Sequence, residues 1–130
     1  MSDDNLKAAE NYFAAMQNHD LIALEKMLVP LLHFKDPVSE HHTREAFLET
    51  ASKLFTLLTL IKVRVSLSSK TQAFSLYDMT FKTSPHPATA ANLMTFENGQ
   101  IKTMEVVYDA RPFAPEAEIK RDIVKKELGR

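Results

Sequence analysis

Asp36 is the residue whose type and surroundings best suit chemistry. It closes the alternation Leu32-x-Phe34-x-Asp36 and is followed at once by Pro37 and Val38. On an extended chain those three side chains share one face. A pocket walled by Leu32 and Phe34 would strip Asp36 of water and make it a better proton acceptor near neutrality. An aspartate before proline at a strand end also suits a turn, and both readings stand at this level. The five histidines carry no metal signature: His41 and His42 are adjacent and should point apart, and neither has a partner at helical ligand spacing. His33 falls on the face opposite Asp36. No metal and no cofactor are expected.

Composition narrows the alternatives. The 130 residues suit one domain, with 45% hydrophobic and 25% charged residues. Sixteen basic residues nearly balance seventeen acidic ones, and the net charge of −1 offers no basic field for nucleic acid. Cysteine is absent, which removes disulfides, thiolate metal sites and a thiol nucleophile. The acidic, polar start is unlike a signal peptide, and the apolar-rich stretch 54–65 is too short for a membrane span. A cytoplasmic setting without membrane or nucleic-acid partners is expected.

Elements that could position Asp36 follow from periodicity. Leu6, Ala9, Phe13 and Met16 recur at helical spacing, with Tyr12 on the flank of the stripe and Asp3, Asp4 and Asn5 as capping candidates. Tyr12 there reads as an amphipathic core tyrosine with its hydroxyl at the edge. Asp20 caps a short second helix that Pro30 should end. A strand over 31–36 follows, then a loop over 38–42. Thr43 caps a third helix whose stripe is Phe47, Ala51, Leu54, Phe55 and Leu58. From about residue 59 the period becomes two, giving four strands, the last two joined by Asn98-Gly99. Pro115 suits the start of a final helix and Gly129 its stop. The predicted fold is α+β: helices covering one face of a curved, mostly antiparallel sheet, with residues 1–114 as the domain and 115–130 as a helical extension.

The stretch Asn11 to Val38, with Tyr12, Phe13 and Asp36-Pro37-Val38, and the stretch Met94 to Asp109, with its Asn98-Gly99 hairpin, resemble SnoaL-like and ketosteroid isomerase-like proteins of the nuclear transport factor 2-like superfamily. The resemblance implies a cone-shaped barrel of that curved sheet, with a pocket between sheet and helices, and a homodimer through the sheet. It implies Asp36 as the base that moves a proton next to a carbonyl, Tyr12 as donor to the developing enolate oxygen, and Asn92 where the family has its second donor; this division of roles is a worked case of the general chemistry. The ligand wall is expected from Leu32, Phe34, Phe55, Met94, Met104 and Tyr108, around a small apolar or carbonyl-bearing molecule. Leu28 and Ala51 stand where the family carries supporting tyrosines, which should make Tyr12 a poorer donor. The fold also serves non-catalytic ligand-binding and dimerisation modules, so the activity rests on the site.

Overall fold

The computed structural model of the chain describes residues 2–109 and 123–128. Helices α1 (Ser2–Gln17) and α2 (Leu21–Met27) come first, then β1 (Leu28–Lys35) and a two-residue β2 (Glu40–His41). Helix α3 (Arg44–Leu54) precedes β3 (Leu58–Ser68), β4 (Gln72–Phe81), β5 (Ala88–Glu97) and β6 (Gln100–Val107). One six-stranded sheet has the order β2-β1-β6-β5-β4-β3. Every neighbouring pair is antiparallel except β1 with β6, which is parallel. Helix α1 packs on β3 and β4, and α3 on β1. This is the α+β architecture expected from the sequence, with helices on one face of a mostly antiparallel sheet.

Local signals act where side chains meet free backbone groups. Asp20 accepts from the Ala23 N–H at 3.0 Å and Thr43 from the Ala46 N–H at 3.1 Å, capping α2 and α3. Helix α1 starts earlier than expected, at Ser2, so Asn5 lies inside it rather than capping it. The Asn5 amide instead donates to the carbonyls of Ser69 and Lys70 at 2.9 and 3.0 Å, fastening α1 to the β3–β4 turn. Pro30 does not end α2. The helix stops at Met27 and Pro30 lies inside β1, where the β1–β6 register is irregular between Leu28 and His33. A proline has no N–H for the ladder, so a strand tolerates it at such an interruption. Phe55 is the C-cap of α3 and Leu58 opens β3; tertiary packing ends the helix before its apolar stripe does. The expected helix start at Pro115 and the stop at Gly129 lie outside the described residues, but residues 123–128 are helical.

The core forms where the inner sheet face meets the helices. Leu24, Leu28 and Leu32 are fully buried there with Met94, Ile101 and Met104, each such side chain contributing about 1.5–3 kcal/mol by leaving water. The opposite sheet face keeps apolar side chains in solvent, among them Leu67, Phe74, Leu93 and Val107.

The β5–β6 turn has the backbone its sequence demands: φ is +52° at Asn98 and +81° at Gly99. A Cβ at Gly99 would meet nothing within 4 Å, so a side chain there is opposed by backbone strain and not by a clash. Gly99→Ala is expected to lower stability by about 1–2 kcal/mol, measured as an earlier midpoint with unchanged slope in urea unfolding.

Candidate functional site

Asp36 follows the last residue of β1, where Phe34 pairs with His41 and Lys35 with Glu40. Its Oδ1 accepts three hydrogen bonds: from the N–H of Val38 at 3.0 Å, the N–H of Ser39 at 2.9 Å and the Ser39 hydroxyl at 3.0 Å. Its own N–H donates to the Ser39 carbonyl at 2.9 Å. These bonds compensate a buried carboxylate for lost water. Asp36 thus organises the turn and also lines a cavity.

That cavity holds about 60 Å³. Its polar wall consists of Tyr12, Asp36, Thr50, Tyr77 and Tyr108; Met16, Phe34, Phe47, Leu54 and Met79 belong to its apolar wall. Tyr12 and Asp36, separated by more than twenty residues, line one cavity although α1 packs on β3 and β4 and Asp36 follows β1, three strands from β4 in the sheet order. Burial, followed by the neighbouring Tyr77 and the Asp36 charge, pushes the Tyr12 hydroxyl well above the usual tyrosine range. Burial likewise raises Tyr77, against a smaller opposing hydrogen bond from Asn92. Both phenols are thus neutral donors through the physiological range. Tyr12 packs edge-on against Phe13 at 5.1 Å, and Phe13 meets Tyr77 at 4.7 Å.

The other expected site residues separate into wall and core. Phe34 and Tyr108 line the cavity, whereas Leu32, Met94 and Met104 are packed in the core. Phe55 leaves the α3 stripe at the helix C-cap and stacks on His19 at 4.6 Å, so it too is off the wall. Asn92, 1% exposed, stands behind Tyr77 rather than on the wall. Its Nδ2 reaches the Met104 sulfur at 3.5 Å, and its buried Oδ1 has no hydrogen-bond partner among the described residues. Ala51 does line the cavity, while Leu28 is sealed in the core.

Sequence reasoning did not assemble Tyr77 and Thr50 with this site. Tyr77 was legible as a strand residue facing the same way as Met79, but its convergence with Tyr12 needs the sheet's curvature. Thr50 leads to a buried chain: its Oγ1 lies 2.9 Å from His41 Nε2, and His41 Nδ1 lies 3.3 Å from Glu127 Oε2. Thr50 Oγ1 also donates to the Ala46 carbonyl at 3.2 Å. With that proton so committed, Thr50 Oγ1 is left to accept from the His41 ring.

Larger hollows lie elsewhere. A groove of about 500 Å³ runs between α1 and β3, and shallower ones of about 240 and 220 Å³ lie on the outer sheet face. We favour the smaller cavity as the site because a buried carboxylate and three phenols converge on it. Among the described residues no helix is long and apolar enough to cross a membrane.

Comparison with known proteins agrees with this fold. A family model described as a SnoaL-like domain matches residues 9–104. A nuclear transport factor 2-like protein of unknown function from Cytophaga hutchinsonii is similar at 18% identity and a TM-score of 0.74, over 85% of this chain and 94% of that one. A protein from Kribbella flavida described as a ketosteroid isomerase is similar at 11% identity and a TM-score of 0.76, over 83% and 79% of the two chains. An M. tuberculosis LEH-like epoxide hydrolase is similar at 10% identity and a TM-score of 0.75, over 99% and 98%. No curated protein matches the sequence.

Because Tyr12 ionises far less readily when folded than at the ordinary value of 10.0, its contribution to stability is complete below that pH and is lost as pH rises beyond it. Alkaline titration followed by the ultraviolet tyrosinate band should show Tyr12 and Tyr77 ionising together with loss of circular dichroism. Tyr12→Phe should weaken the alkaline decline; early ionisation of all three tyrosines in a folded chain would contradict the burial.

Proposed function

This chain belongs to the SnoaL-like domain family of the nuclear transport factor 2-like superfamily, and from that premise we propose that it binds a small carbonyl-bearing molecule and moves a proton next to the carbonyl. One observation carries the reading: Asp36 and Tyr12 line the same cavity. Asp36 would take a proton from the carbon beside the carbonyl. Tyr12 would donate a hydrogen bond to the oxygen on which charge develops, and the proton would return at another carbon to complete an isomerisation; in a ring closure the enolate carbon would instead attack a second carbonyl of the same molecule, whose oxygen takes the proton. Tyr77, supported from behind by Asn92, is the second phenol available to that oxygen. A cavity of about 60 Å³ takes a small fragment as it stands. Larger ligands would displace Met16 and Met79, whose flexible side chains adapt to irregular apolar shapes.

The three bonds on Asp36 Oδ1 favour a second reading, a non-catalytic ligand-binding or dimerisation module in which the carboxylate only holds the turn. Asp36→Asn separates the two, because an amide oxygen can keep the same three donors while the base is lost. A thermal-shift screen of phenolic and cyclic carbonyl compounds would supply a ligand and a substrate. With it, Asp36→Asn should abolish turnover and leave affinity and thermal midpoint near wild type. Unchanged turnover would exclude Asp36 as the base. Asp36→Ala, which leaves the Ser39 donors unmatched, should in addition cost about 1–3 kcal/mol of stability.

The partner macromolecule we propose is a second copy of this chain, docked on the outer sheet face. Leu67, Phe74 and Leu93 form one cross-strand row there, and Val65, Leu76, Ala91 and Val107 the next. An apolar band of this kind suits a self-complementary two-fold contact. Sedimentation should give a dimer that Leu93→Lys shifts toward monomer; a wild-type monomer at every concentration would rule the contact out.

A further inference from the structure

Spacing along the chain hides a cluster that the β1–β2 hairpin creates on the face of β1 turned away from the cavity. Phe34 pairs with His41 across the two strands, and their rings stack inward at 5.9 Å. By strand alternation the residues on either side point outward. His33 and His42 accordingly meet on the outer face, with ring centroids 5.0 Å apart, and Glu40, two residues before His42, joins them. Glu40 Oε2 lies 2.6 Å from His33 Nε2 and 3.8 Å from His42 Nε2. The ligand atoms of all three lie within 4.8 Å of one another.

We propose that His33, Glu40 and His42 form a binding site for a divalent transition-metal ion of the zinc class. Two imidazole nitrogens with one carboxylate oxygen are a ligand set that such ions favour; magnesium and calcium prefer oxygen alone. Zinc bonds of about 2.0–2.1 Å in a tetrahedron place ligand atoms roughly 3.3 Å apart, so the present separations need adjustments of an ångström or so. The side chains are 44%, 47% and 64% exposed for His33, Glu40 and His42, and are free to make them. The rings now lie 21° from parallel, and one must turn edge-on for both nitrogen lone pairs to converge. Lys35, across from Glu40, is the neighbouring cation that a metal ion would have to tolerate. The ion would cross-link β1 to β2, and so fasten the turn that carries Asp36; water would fill its remaining position.

The test is calorimetric titration of the untagged, chelator-treated protein with zinc(II), repeated with magnesium(II). One zinc ion per chain should bind, at micromolar affinity or better, with no magnesium heat. His33→Ala and His42→Ala should each weaken zinc binding about 10-fold or more, while His19→Ala and His86→Ala leave it unchanged. Should His33→Ala unfold, His33→Asn serves in its place, and the cobalt(II) visible spectrum of the wild type reports coordination directly. An absence of zinc binding by the wild type, or undiminished binding by the His33/His42 double variant, would overturn the site.

Discussion

The hydrogen bonds gathered on Asp36 Oδ1 fix the short turn between β1 and β2, and much of the molecule's chemistry depends on that turn. It sets which residues of the two strands face each other, and so which side chains turn inward. Phe34, Asp36 and His41 are directed to the interior; His33, Glu40 and His42 to the outer face. A register slip by one residue would exchange these sets and put charged groups into the core. One carboxylate thus governs both the polar end of the cavity and the residues on the reverse of the strand.

His41 shows how the same hairpin reaches the far end of the chain. It is completely buried, and a buried imidazole must have both nitrogens matched. Thr50 of α3 meets one and Glu127 the other, and Glu127 also accepts from the His42 N–H at 3.3 Å. Lys126 adds an ion pair to Glu49 at 2.8 Å. The 123–128 helix is thereby held against β2 and α3, with Ile123 buried beneath it. The exposed Lys126–Glu49 contact contributes little by itself; the polar contact with His41 and the burial of Ile123 do more.

The fold was largely legible because its signals are local. Asp20 and Thr43 announce helix starts, Asn98-Gly99 announces a hairpin, and the change of period near residue 59 marks the passage from helix to sheet. The failures have equally local causes. Pro30 reads as a terminator, yet β1 places it at an irregular register, and two paired residues are too few for β2 to leave a periodic trace. At the site, Asp36 and Phe34 followed from alternation along one strand. The resemblance supplied Tyr12, and the cavity includes it. The partnership of Tyr77 with Tyr12 depends on how far the sheet curls, and the inward turn of His41 on strand pairing; neither is written in nearest-neighbour spacing. Met94 and Met104 have the right polarity for a ligand wall but lie on strands where core packing claims them.

The cavity beside Asp36 also has a volumetric consequence. About 60 Å³ per molecule corresponds to roughly 36 mL per mole of protein, a size comparable to the whole volume decrease that accompanies unfolding of many proteins. Compression should therefore bear first on this region, where α1, α3 and the inner sheet face meet around an underfilled space. A ligand that occupied it would leave the chain harder to compress as well as more stable.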